Sequence, residues 1–155
     1  MRTPLIEFRQ VTKRFGEKVV LNGVDLSIYS GEVTTLIGRS GEGKSVTLKL
    51  IIGLLRPDSG QILYRGRDIL RMKRSERERF RREVSFMFQS NALFDSLTVE
   101  ENIALPLQEG SRINGAAVRD KVARKMQAMD LEGTEENYPS QLSGGMQKRV
   151  ALARA

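Results

Sequence analysis

The strongest constraint on this chain is one stretch, Gly38-Arg39-Ser40-Gly41-Glu42-Gly43-Lys44-Ser45, which fits the pattern G-x-x-x-x-G-K-[ST]. It follows the apolar run Val33–Ile37 and opens a segment, Gly43–Leu54, with helical character. The chemistry requires that order. Glycines let the backbone wrap around phosphate oxygens, so that successive N–H groups point at negative charge. The start of the helix adds the positive end of its dipole. Lys44 is placed to reach the β- and γ-phosphates, and the Ser45 hydroxyl to ligate Mg²⁺. Gly38, Arg39, Ser40, Gly41, Glu42, Gly43, Lys44, Ser45 and Val46 are therefore the candidate residues for binding a nucleoside triphosphate.

The surrounding pattern predicts an α/β fold. Leu5–Val11, Val19–Leu21 and Val24–Ser30 read as strands divided by Gly16 and the turn signal Asn22-Gly23. Val33–Ile37 reads as a strand buried on both faces, and Gln61–Tyr64 and Val84–Phe88 as further strands. Gly53 and Pro57 end the helix after the glycine-rich loop. Capping boxes at Ser75/Glu78 and Thr98/Glu101 mark two later helix starts. Val118, Val122, Met126 and Met129 share one face of a helix over residues 115–130, where the methionines fill a core.

Composition narrows the class. The 155 residues carry 39% hydrophobic and 29% charged side chains, enough for one domain with a real core. The apolar runs fall short of the roughly 20 residues that a membrane-spanning helix needs, and Met1–Leu5 has no signal-peptide character. Cysteine and histidine are absent, which excludes disulfides, thiolate chemistry and histidine metal sites. The net charge of +7 draws much of its excess from Arg71–Arg82. With Phe80 as its single aromatic, that stretch reads as a solvated helix, without the stacking platform of a nucleic-acid binder.

A second loop-to-helix signal lies at Leu142-Ser143-Gly144-Gly145-Met146-Gln147. Ser143 is placed as an N-cap, and two glycines bare the backbone N–H groups of the following helix. LSGGMQKR, combined with the phosphate loop and an intermediate glutamine, resembles the signature of ABC-type ATP-binding cassettes, and the resemblance covers the whole chain. It implies an antiparallel β subdomain, a RecA-like core and a helical subdomain in one partial cassette, with the β subdomain and phosphate-loop core at 1–88, the glutamine loop and helical subdomain at 89–142, and the signature helix at 142–155. It also implies that Phe15 stacks on adenine. Gln89 then meets Mg²⁺ and senses a transmembrane partner. The stretch Leu142–Gln147 would touch the ATP held by a second, identical subunit, with Ser143, Gly144 and Gly145 on its γ-phosphate. ATP and Mg²⁺ are the implied cofactors. Transmembrane permease subunits are the implied partners, with no nucleic acid, and the implied place is the inner face of a bacterial cell membrane, peripheral and cytoplasmic.

Within the family, chromosome and repair ATPases insert a long coiled coil between the two motifs. Here Gln89 and Leu142 stand 53 positions apart without sustained heptads, which favours a transporter ATPase over a member acting on DNA or ribosomes. Residues 88–107, FQSNALFDSLTVEENIALPL, are similar to Mla-type ATPases, which drive phospholipid traffic; an amino-acid-type importer is the alternative. One expected part is missing from the sequence. Asp25, Asp58, Asp68, Asp95, Asp120 and Asp130 do not follow a four-residue apolar strand, and no histidine exists to meet the γ-phosphate. The expectation is a cassette truncated before its catalytic Asp/Glu pair and its last core strands. Such a chain would bind ATP and be inactive alone, while the full-length protein would be an ATPase.

Overall fold

The computed structural model describes residues 2–108 and 115–155, which form two compact units, Met1–Ser85 and Phe86–Ala155. The first is built on a sheet. In β1 (Ile6–Phe15), Ile6 and Phe8 point inward while Glu7 and Arg9 pair with each other outside. This alternation is what one buried face requires. β1 pairs antiparallel with both β2 (Lys18–Ile28) and β3 (Ser59–Tyr64), and the short β4 (Arg67–Asp68) completes the order β2-β1-β3-β4.

Helix α1 (Lys44–Ile51) and helix α2 (Arg74–Glu83) supply Leu50 and Phe80 to the sheet's core of Phe8, Val11 and Ile62. The Phe80 ring meets Tyr64 edge-on at 4.9 Å. α1 stops at a left-handed Gly53, where Gly53 N–H donates to Leu50 O (3.1 Å) and Leu54 N–H to Lys49 O (2.9 Å). This Schellman closure satisfies carbonyls that the helix end would otherwise leave open, and it ends α1 short of the expected Leu54.

The second unit is helical: α3 (Val99–Gln108), α4 (Gly115–Ala128) and α5 (Gly144–Arg154), with a 3-10 turn at Pro139–Gln141. Val118, Val122 and Met126 of α4 pack with Val99, Ile103, Leu131 and Val150, and Met129 joins from beyond the helix end. The box at Thr98/Glu101 forms in both directions, Glu101 Oε2 accepting from Thr98 N–H at 2.8 Å and Thr98 Oγ1 from Glu101 N–H at 3.3 Å. Asn102 is fully buried. Its Oδ1 accepts from Phe94 N–H at 2.9 Å, and its Nδ2 donates to the carbonyls of Phe94, Leu97 and Thr98. Asn102→Ala leaves these groups without their partner in a dry setting and should cost about 2–3 kcal/mol, read as a shifted urea midpoint at constant slope.

Four expectations are corrected. Val33–Ile37 forms no strand among the described residues, and Val33 is 97% and Ile37 92% exposed, so it is not a strand buried on both faces. Val84–Phe88 likewise has no ladder. An apolar run becomes a strand only when neighbouring backbone takes up its N–H and C=O groups. Asn22-Gly23 is not a turn: β2 runs through it as a bulge, Gly23 adopting φ 60° and donating its N–H to Thr12 Oγ1 at 3.1 Å. The hairpin turn is Gly16-Glu17, joining the pair Phe15 and Lys18. Finally, α2 is capped at Lys73 rather than Ser75, and Glu76 Oε2 accepts from Lys73 N–H at 3.0 Å. Lysine has no side-chain acceptor, so only that half of the box exists.

Candidate functional site

The loop before α1 is held by two glycines in the left-handed region, Gly41 at φ 83° and Gly43 at φ 92°. Gly43 is buried against β2: a Cβ there would stand 2.9 Å from Leu21 Cδ2 and 3.0 Å from Val20 Cγ1. Its carbonyl also accepts from Thr47 N–H (2.8 Å) and Thr47 Oγ1 (3.0 Å). Thr47 is buried and buttresses the loop from within α1; no sequence signal singled it out. Gly43→Ala combines a strained φ with a clash against the sheet. It should cost about 2–4 kcal/mol, or displace the loop, with a fall in melting temperature and in nucleotide affinity together.

The loop closes on itself. Lys44 Nζ donates to Gly38 O and Arg39 O, both at 2.6 Å, and Glu42 Oε2 accepts from Arg39 N–H at 2.7 Å. Arg39, Ser40 and the Ser45 side chain are open to solvent, and the Val46 side chain turns toward the first unit's core. The first turn of α1 carries no acidic residue and no side-chain cap. Its leading N–H groups thus meet no competing carboxylate on their own helix.

Phe15 lies at the hairpin end of β1 and is 49% exposed, against 1% for Phe8 on the same strand. That contrast speaks against a core role. Lys13 Nζ sits 5.4 Å from its ring centroid and also pairs with Asp58 at 3.0 Å. Phe15 faces Lys18, and Val20 and Leu21 farther along β2 touch Gly43. Three residues of strand span about 10 Å, so the open aromatic face of β1 and the glycine-rich loop packed on β2 lie on one hairpin.

In the second unit Gln89 is exposed in a turn, where Asn91 N–H donates to Phe88 O at 3.0 Å. The following Asn91 and Ala92 adopt φ of 61° and 48°, and Arg154 at the end of α5 donates to both carbonyls. At the start of α5, Ser143 is the N-cap and its Oγ accepts from Met146 N–H at 3.3 Å. Leu142 is buried, Met146 leans on the second unit's core, and Gln147 Nε2 donates to Pro139 O at 2.9 Å, so these three anchor the turn. Gly144 and Gly145 are different. They are helical, exposed, and a Cβ on either would meet nothing closer than 3.9 Å.

Residues 21–155 match the family model described as ABC transporter. The chain belongs to that family. The cassette is 44% identical over 150 residues to the "Probable ribonucleotide transport ATP-binding protein mkl" of Mycobacterium leprae, covering 97% of this chain and 43% of that protein. It is 39% identical over 155 residues to the "Intermembrane phospholipid transport system ATP-binding protein MlaF" of Haemophilus influenzae, covering 100% and 59%. The chain thus spans about half the length of the curated relatives it matches. Among solved structures it resembles the dimeric post-hydrolysis ATP-binding cassette MJ0796 bound to ADP and Pi, with a TM-score of 0.83 and 32% identity over 96% of this chain and 68% of that one. The Mla-type resemblance and the α/β cassette fold are thereby established for this ABC cassette.

Proposed function

We propose that this cassette is the ATP-binding subunit of a transporter that moves phospholipid, with Gly38–Val46 holding the phosphates and Phe15 stacking on the adenine. The observation that carries the reading is the bareness of Gly144 and Gly145. Glycine costs about 1 kcal/mol relative to alanine in a helix, yet neither residue has a positive φ or a crowded Cβ to require it. Their use makes sense when another body approaches the α5 N-terminus closely, and a phosphate chain held by a second copy is such a body. The solved relative that is dimeric with ADP and Pi supports this arrangement.

Ser45 in the first unit and Gln89 in the second each offer a hard oxygen donor, the type that Mg²⁺ prefers alongside phosphate oxygens and water. Among the described residues no cluster of acidic side chains could hold a metal. Hydrolysis needs a carboxylate to polarise water. These 155 residues offer none after an apolar strand, and we assign turnover to the whole protein. Among the described residues no helix is long and apolar enough to cross a membrane; permease subunits would carry the passage, with the cassette peripheral on the cytoplasmic face.

The lipid assignment is supported by residues 88–107 and by the MlaF relative's name, and a ribonucleotide cargo by the mkl relative's name. Phe15→Ala should weaken ATP binding by about 1–3 kcal/mol and leave the melting temperature unchanged; the opposite pattern would restore a core role. For the cargo, the full-length protein reconstituted with its permease should transfer labelled phospholipid between vesicles only with ATP. Uptake of ribonucleotide with no lipid movement would overturn the lipid reading.

A further inference from the structure

Charge on α2 is sorted by side. On one flank Glu76 and Glu83 are matched to Arg67 and Arg65, while Arg74 pairs with Glu78 beside Arg77 and Arg81. Asp68 is taken by Arg71, and Asp58 by Lys13 and the Arg14 N–H. The other flank differs. Arg77 and Arg81, one helical turn apart, line a pocket of about 180 Å³ with Arg56, over a floor that includes Ile52, Ile69 and Phe80. No acidic residue lines it.

Three arginines with no acidic residue among the lining bring like charges to one concavity, and like charges four apart on a helix weaken it. The pocket adjoins the C-terminal end of α1, where cations can serve exposed carbonyls. Those of Lys49 and Leu50, however, are already closed by the Gly53 turn. Arg77 spends one N–H on Met72 O at 3.2 Å and keeps the rest of its fork. Three arginines lining a small, partly apolar hollow suit a tetrahedral dianion, because a guanidinium fork can give such an anion paired N–H bonds.

We propose that Arg56, Arg77 and Arg81 form a second anion site for a terminal phosphate group, separate from the phosphate loop. It lies at the far end of α1, about 12 Å from Gly43 along an eight-residue helix. The phosphate belongs to a small soluble phosphate or to a lipid headgroup; both present the same dianion.

The test fills the phosphate loop first. The full-length protein is saturated with a non-hydrolysable ATP analogue, whose own binding reports separately on the loop. It is then titrated with inorganic pyrophosphate and, in a second arm, mixed with phosphatidylcholine vesicles containing phosphatidic acid. Saturable binding is expected in at least one arm, weakened about tenfold or more by Arg77→Gln and by Arg81→Gln. The neighbouring Arg82→Gln, outside the pocket, should bind as wild type. Binding in the pyrophosphate arm assigns a soluble ligand, and binding confined to vesicles a headgroup. In chloride buffer without phosphate, Arg81→Gln should melt no lower than wild type, because it relieves repulsion. No binding in either arm, or equal binding by wild type and both pocket variants, overturns the site.

Discussion

Lys44→Ala should weaken ATP binding by more than a hundredfold while leaving the fold intact. Lys44 Nζ rests on the carbonyls of Gly38 and Arg39 at 2.6 Å, inside the curl of the loop where phosphate oxygens would lie. Hydrogen bonds to a charged partner contribute about 1.5–3 kcal/mol each. An ammonium bridging two phosphate groups therefore supplies about 3 kcal/mol or more, and each 1.4 kcal/mol is a tenfold change. Arg39, the nearest other cation of the loop, is exposed, and its backbone N–H is engaged by Glu42. The fold should survive because the two carbonyls released by the substitution lie in an exposed loop and return to water. Calorimetric titration of ATP into both proteins, with melting curves alongside, decides the matter. Equal affinity would remove the phosphate assignment, and a collapse in melting temperature would show that the lysine holds the loop together.

The second large effect is expected at the other helix start. Ser143→Arg should leave ATP binding by one subunit near its original strength and prevent the ATP-dependent dimer. The α5 N-terminus is open: a Cβ on Gly144 would meet nothing within 4 Å, and one on Gly145 only Ser143 Oγ at 3.9 Å. A guanidinium on a long stem would fill that space and meet the incoming surface first. Substitution also removes the cap on Met146 N–H, a loss of about 1 kcal/mol that alanine shares. Ser143→Ala is therefore the control. It should lose the same cap and the hydroxyl's contact with the phosphate, keep the space clear, and dimerise more weakly but still detectably. Light scattering with ATP, in a full-length background blocked in hydrolysis, reads the mass directly. A dimer that forms with arginine in place would contradict the shared-nucleotide arrangement.

What could be read from the sequence was whatever the local backbone dictates. Ser143 caps α5, Thr98 and Glu101 close their box, and Gly16 turns the hairpin, because each rests on contacts within a few residues. The α4 face followed from spacing alone. The misreadings share one cause, which is that a pattern names a preference and not a partner. Val33–Ile37 has strand composition, yet no described strand lies beside it. Asn22-Gly23 favours a turn, yet Thr12 across the ladder offers its hydroxyl and the strand continues. The stretch RMKRSERERF contains two Glu spaced to cap two different residues, and the one nearer the chain start forms the bond. The loop from Gly38 to Ser45 was legible because its chemistry is carried by backbone; Thr47 and the pressure of Gly43 on β2 were not, since they depend on what packs from a distant strand.

Gly144 and Gly145 also make this cassette vulnerable to well-meant engineering. Both stand in a helix, in open space, with backbone angles that alanine adopts freely. A thermostability selection, or a design protocol that scores the isolated chain, would favour alanine at both positions, for a gain of about 0.5–2 kcal/mol at each compatible site. In the proposed shared-nucleotide dimer, each added methyl group would stand where the second subunit comes nearest. Variants ranked best by melting temperature should then rank worst in assembly, and a library sorted on both traits would separate along these two codons.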